Sequence, residues 1–226
     1  MTPRTGAPRL VRPLLAVFLA VSAVHLAGLL AGVDTVHLVT KPLLMPLLAA
    51  YAAARGGPGP LIAALLFGWG GDVLLMPDAD AGFLAGMGSF AVGHVCYLWL
   101  FGRARVSLAA GLAYAAVLVV FVVLLWPGLP GELRIPLTGY SLLLTAMAWR
   151  AGALGRYAAL GGALFLLSDA LIATGIAEWP QLPAHNFWIM LTYIAAQYLL
   201  TQGALTVRAD STGAAPGAYR GRRIRI

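Results

Sequence analysis

Residues 106–126 read Val-Ser-Leu-Ala-Ala-Gly-Leu-Ala-Tyr-Ala-Ala-Val-Leu-Val-Val-Phe-Val-Val-Leu-Leu-Trp, with no charged side chain anywhere in the run. An α-helix needs about 20 consecutive apolar residues to cross the hydrocarbon core of a bilayer. A run this long and this uniform does not resemble the short alternating strands of an outer-membrane barrel. It reads as a transmembrane helix, and the rest of the chain repeats the pattern on both sides of it. Apolar runs separated by Gly, Pro or charged residues predict helices at 14–32, 38–54, 61–76, 82–101, 106–126, 136–150, 157–176 and 187–207. The third and sixth are short for a full span.

Composition requires the same solvent. The 226 residues are 61% hydrophobic and 10% charged, with a mean hydropathy of +0.86. A soluble domain carries roughly 25% charged residues, so this chain cannot cover a water-facing globule. The expected fold class is all-α: a polytopic membrane helix bundle of about eight spans. It divides into a cytoplasmic N-terminal tail (1–13), the transmembrane domain (14–207) and a basic, disordered C-terminal tail (208–226). The first apolar run exceeds the 7–15 residues of a signal-peptide core and is read as a mature helix. The single cysteine, Cys96, rules out a disulfide framework and reads as a small buried apolar residue.

The formal charge of +7 is not a nucleic-acid signature, because the charges sit at segment ends and in the tails. With the N-terminus inside, the cytoplasmic segments hold Arg4, Arg9, Arg12, Arg55, Arg103, Arg105, Arg150, Arg156, Arg208, Arg220, Arg222, Arg223 and Arg225. Lys41 and Arg134 alone fall towards the other face, whose loops carry Asp34, Asp78, Asp80, Glu132 and Glu178. This asymmetry places both termini in the cytoplasm, with a bacterial inner membrane as the expected location. Glycines supply close packing: Gly82 and Gly86 form a GxxxG pair, and Gly68, Gly70, Gly71, Gly161 and Gly162 lie in neighbouring helices.

Against this apolar background a few polar residues stand out. A carboxylate at the bilayer centre costs about 2.5–3.5 kcal/mol on insertion scales, so one retained there has a partner or a use. Asp72 lies near the end of the third helix, in Gly68-Trp69-Gly70-Gly71-Asp72, and Asp169 in the seventh, in Phe165-Leu166-Leu167-Ser168-Asp169. Lys41 enters the second helix from the same side, so the three can converge. In the fourth helix Phe83, Met87, Phe90, His94, Tyr97 and Phe101 fall on one face at spacings of three and four. Tyr193 and Gln197 share a face of the eighth. A structural alternative is a buried Asp–Lys pair that holds helices together. The four histidines give no i, i+4 pair of the zinc-helix type; neither a metal nor a cofactor is expected.

At these same residues the chain resembles the YhhN family, the membrane lysoplasmalogenases, over about residues 14–207. Lys41-Pro42 with Pro46 resembles the family's KP…P entry to the second helix, and Gly71-Asp72 followed by Leu74-Leu75 its GD motif. Phe83, Gly86, Phe90, Gly93-His94 and Tyr97 resemble its F-x-x-G…F-x-x-GH-x-x-Y segment. Gly162-Ala163, Phe165 and Ser168-Asp169 resemble GA-x-x-F-x-x-SD, and Tyr193 to Gln197 with Leu199 the final Y-x-x-A-Q-x-L run. The resemblance implies a lysophospholipid substrate whose vinyl ether bond is hydrolysed to a fatty aldehyde and glycerophosphoethanolamine or glycerophosphocholine.

That chemistry needs one carboxyl group that carries a proton and a second that stays anionic, as in glycosidases. One of Asp72 and Asp169 would donate the proton while the other stabilises the cation and positions water; Asp169 is favoured as the acid, and the sequence leaves the choice open. Lys41, His94, Tyr97, Ser168, Tyr193 and Gln197 are the supporting or substrate-binding residues; His94 and Tyr97 would orient water or the ether oxygen. A proton-linked transporter or channel using Asp72, Asp169 and Lys41 as a relay is the competing reading.

Overall fold

The structure, a computed structural model, describes residues 8–76 and 80–213. Among these residues there are eight α-helices and no strand: α1 (Pro8–Ala31), α2 (Asp34–Ala54), α3 (Gly59–Leu74), α4 (Asp80–Phe101), α5 (Leu108–Leu125), α6 (Gly131–Ala151), α7 (Arg156–Ile176) and α8 (His185–Gly213). Single 3-10 turns, Trp126–Gly128 and Gly152–Leu154, follow α5 and α6. Each helix corresponds to one expected from the sequence, and the differences lie at the ends. Helix α1 starts six residues early at Pro8, in keeping with the tolerance for proline at a first helical position, where no N–H is needed. Helix α6 starts at Gly131 and runs through Pro136, and α8 continues to Gly213, past the expected start of the tail. The remainder of that tail, with its four arginines, lies outside the described residues, as do Arg4 and Asp78.

Five helices, α1, α2, α4, α5 and α7, are long and apolar enough to cross a membrane. Helix α3 has 16 residues and is apolar but short. Helices α6 and α8 are less apolar. Their polar side chains turn inward, where neighbouring helices rather than lipid meet them: Thr145 of α6 and Gln197 and Thr201 of α8 are all buried. The outer surface is correspondingly apolar. Ile135 is 81% exposed, Trp99 77% and Leu108 70%, and Val119, Val120, Val123 and Leu124 line the outside of α5. Apolar exposure on this scale suits lipid and not water. The protein is an integral membrane protein.

Contacts close a ring of seven helices: α1 on α2, α2 on α3, α3 on α4, α4 on α6, α6 on α7, α7 on α8, and α8 back on α1. Helix α8 also reaches across to α2 and α3, while α5 stands outside the ring against α6. Helices consecutive in the chain run antiparallel, whereas α4 and α6 run parallel, their C-terminal ends meeting at Arg150 and Gly102. A Cβ on Gly71 would come within 2.5 Å of the Phe90 ring, and one on Gly93 within 3.2 Å of the Ala64 carbonyl, which fixes the register of α3 against α4. On the other flank, a Cβ at Gly161 would lie 2.8 Å from the Leu200 nitrogen and 2.9 Å from the Ala196 oxygen. Helices α7 and α8 therefore touch backbone to backbone, the approach that small residues permit where lipid gives no hydrophobic drive. At one end Arg150 ties α6 to the α4–α5 connection, donating from Nη1 to the Ala104 oxygen at 2.8 Å and from Nη2 to the Gly102 oxygen at 2.7 Å.

The contact at Gly161 leads to a stability prediction. Gly161→Leu forces α7 and α8 apart and costs about 1–3 kcal/mol, as overpacking does, whereas Gly88→Ala, with nothing within 4 Å of its added carbon, is close to neutral. Thermal unfolding of the detergent-purified variants checks this: a clear fall in apparent Tm is expected for the first and not the second.

Candidate active site

Within the bundle, towards the end where α3 and α7 finish and α2 and α8 begin, lies a cavity of about 160 Å³ that α5 helps to wall. Its wall is mostly apolar. Five helices place polar groups on it: Lys41 from α2, Asp72 from α3, Tyr140, Ser141 and Thr145 from α6, Ser168 and Asp169 from α7, and Tyr193 from α8. The two carboxyl groups, expected from separate motifs 97 positions apart in the chain, share this cavity. Lys41 lines the same cavity as both of them.

Each carboxyl group ends a chain of hydrogen bonds. Tyr97 donates to Gln197 Oε1 at 2.6 Å, Gln197 Nε2 donates to the Tyr193 hydroxyl at 3.4 Å, and Tyr193 donates to Asp72 Oδ2 at 2.8 Å. All three donors point towards Asp72, so the chain favours negative charge there, and successive bonds polarise one another. Gly68 makes room for it: a Cβ would meet Gln197 Nε2 at 3.0 Å and the Tyr193 oxygen at 3.2 Å. The second chain is shorter. Tyr140 donates to Asp169 Oδ2, and His94 Nε2 lies 3.1 Å from the Tyr140 oxygen. Because the Tyr140 proton is committed to Asp169, the histidine is the donor, which assigns its proton to Nε2. Phe165 separates the two chains, edge-on to His94 with centroids 4.9 Å apart and to Tyr193 at 5.5 Å.

The residues singled out by sequence therefore fall into two layers. Lys41, Asp72, Ser168, Asp169 and Tyr193 face the cavity. His94, Tyr97 and Gln197 are buried behind it and reach the carboxyl groups only through a tyrosine. In this structure His94 Nε2 lies against the Tyr140 hydroxyl and Tyr97 donates to Gln197, while His94 Nδ1 is buried without a hydrogen-bond partner. Ser168 spends its hydroxyl proton on the Ile189 oxygen, 3.0 Å away, and so joins α7 to α8 beside the site. The partner of Asp72 is Tyr193, and Lys41 serves it as a charge through space. Among the described residues, no three His, Cys, Asp or Glu side chains gather in a form that could hold a metal ion.

Tyr140 was missed at the sequence level. No motif flagged it, and α6 carries enough polar residues to blur its periodicity. A signal existed, though. Leu137, Tyr140, Ser141, Leu144 and Thr145 follow the i, i+3, i+4, i+7, i+8 pattern of a buried helix stripe, and all five line the cavity.

Comparison with known proteins locates this arrangement. The YhhN family model matches residues 36–204, which includes every polar residue of the site. Lysoplasmalogenase TMEM86B of Rattus norvegicus is 35% identical over 168 residues, covering 73% of this chain and 70% of that protein. Its Sus scrofa counterpart is 38% identical over 162 residues, covering 70% and 69%. A lysoplasmalogenase of Mycobacterium tuberculosis is 31% identical over 195 residues, covering 75% and 72%. No solved structure gives a significant match. With the family model spanning most of the chain and the motif residues gathered around one cavity, the chain belongs to the YhhN family.

Proposed function

We propose that this protein is a lysoplasmalogenase, a membrane enzyme that hydrolyses the vinyl ether bond of a lysophospholipid. The observation that carries the reading is the pairing of Asp72 and Asp169 in one apolar cavity with Lys41, in a chain whose relatives bear that name. The same relatives leave the transporter reading without support. The protein works in the bacterial inner membrane with both termini in the cytoplasm, so that the site opens towards the outer half of the bilayer.

Charge balance assigns the roles. Two ionised carboxyl groups beside one ammonium would leave a net negative charge in hydrocarbon, at a cost that one proton removes. Lys41 and the Tyr193 chain act on Asp72, so Asp72 is the anion. Asp169, with Tyr140 on Oδ2, carries the proton on its other oxygen.

The reaction then balances as follows. Asp169 gives its proton to the vinyl carbon distal to the ether oxygen, and an oxocarbenium ion forms, stabilised by the Asp72 carboxylate. Water adds to that ion while Asp72 accepts the water's proton, producing a hemiacetal. The hemiacetal collapses as Asp72 returns the proton to the departing glycerol oxygen and Asp169 takes back the hydroxyl proton. Aldehyde and glycerophospho-alcohol leave, and both carboxyl groups are reset. The alkyl chain lies along the apolar wall formed by Phe83, Met87 and Phe90 of α4 and Val117 and Phe121 of α5.

Incubating purified protein with lysoplasmalogen and assaying the aldehyde tests this reading. Asp169→Asn and Asp72→Asn are each expected to lower kcat by about 10²–10⁴, the range for a positioned acid or base; near-normal turnover by both folded variants would exclude the mechanism. Tyr140→Phe removes the positioning hydrogen bond on Asp169 and should lower kcat about tenfold with KM unchanged. A variant that altered KM alone would show Tyr140 to act on substrate and not on the acid.

A further inference from the structure

A second pocket, of about 240 Å³, lies at the same end of the bundle, between the start of α2 and the start of α8. It is lined by Asp34 and His37 on one side and His185 and Asn186 on the other, with Gly28 and Gly32 at the end of α1. Nothing in the two-carboxyl mechanism uses these residues. The same two helices wall both cavities: α2 carries His37 on the outer pocket and Lys41 on the inner one, and α8 passes from Asn186 on the outer to Ile189 and Tyr193 on the inner.

Asp34, His37 and Lys41 stand at i, i+3 and i+7, on one face of α2. Their order is informative. Passing outwards from the carboxyl pair, α2 presents first a cation and then, two turns further, an anion. A lysophospholipid laid with its ether at the carboxyl pair presents the complementary sequence, a phosphate and then an ammonium. The spacing agrees as well. Seven residues of helix rise about 10.5 Å. A phosphoethanolamine unit spans roughly 5 Å from phosphorus to nitrogen over its four bonds, and a charge-assisted contact of about 3 Å at either end brings the reach to about 11 Å. His37 lies between them, its ring 5.2 Å from that of His25, and its Nδ1 is buried without a hydrogen-bond partner.

We infer that a zwitterionic lysolipid headgroup lies along this face of α2, its phosphate taken by Lys41 at the rim of the inner cavity and its ammonium by Asp34 in the outer pocket. The inference rests on the lysolipid-hydrolase reading for the orientation of the ligand. Its test does not depend on turnover. The probe is a saturated 1-O-alkyl-glycerophosphoethanolamine, which has no vinyl carbon to protonate, with 1-O-alkylglycerol of the same chain as the headgroup-free control. Binding of each to the detergent-purified full chain is measured at equilibrium.

Wild-type protein should prefer the zwitterion. Asp34→Asn should weaken zwitterion binding about fivefold, the value of one partly exposed charge contact, with alkylglycerol unaffected and Asp34→Glu restoring the preference. His185→Ala, on the facing wall, should shift the zwitterion in the same direction. Equal effects on both probes, or none on either, would overturn the inference. So would equally tight binding of two-chain phosphatidylethanolamine, since the pocket would then hold a bilayer lipid and not a substrate headgroup. Absent hydrolysis with headgroup selectivity intact would count against the enzyme reading alone.

Discussion

A carboxylate in hydrocarbon has no water to hold its charge, and the interior of this protein is organised around that cost. Asp72 and Asp169 are held by different means. Asp72 receives the end of a three-donor chain and the field of Lys41, while Asp169 receives one tyrosine that is backed by a histidine. The environments differ although the residues are alike. Acid and anion can therefore coexist in one cavity, on the same physical basis as in enzymes that divide two carboxyl groups between two roles.

The fold serves this division through close helix packing. Asp72 sits in the last turn of α3, and Tyr193 can reach it because α8 packs across to α3 and Gly68 leaves space for its hydroxyl. Asp169 is brought to Tyr140 by the α6–α7 contact, where a Cβ on Gly162 would press to 2.8 Å on the Ala148 oxygen. Gly161 draws α7 equally close to α8 on its other side. The glycines near the site thus set how near the carboxyl groups lie to their donors. Helix α5, almost free of buried residues, contributes an apolar wall and takes no part in the polar network.

Much of this was legible in the sequence. Long uncharged runs such as residues 106–126 have one stable form in lipid, so helix number and order followed from hydropathy. Asp72, Asp169 and Lys41 stood out because such residues are rare in spans and costly there. The helix ends were less legible, since the expected starts at 14 and 136 fall just after Pro13 and at Pro136, and both prolines lie within helices. Periodicity could place His94 and Tyr97 on an inward face but could not say what they touch. Their position behind a tyrosine depends on helix rotations that only tertiary packing determines. Tyr140 was hidden for a related reason, because the polar residues of α6 look like surface until α4, α7 and the cavity are assembled around them.

The central claim is that a protonated carboxyl group delivers its proton to carbon. Turnover of lysoplasmalogen by the wild-type protein in heavy water tests it directly, with mass analysis of the released aldehyde. The account requires one deuterium on the carbon next to the carbonyl and a slower rate than in ordinary water. Aldehyde bearing no solvent-derived hydrogen at that carbon, or no aldehyde from fully folded protein, would contradict it.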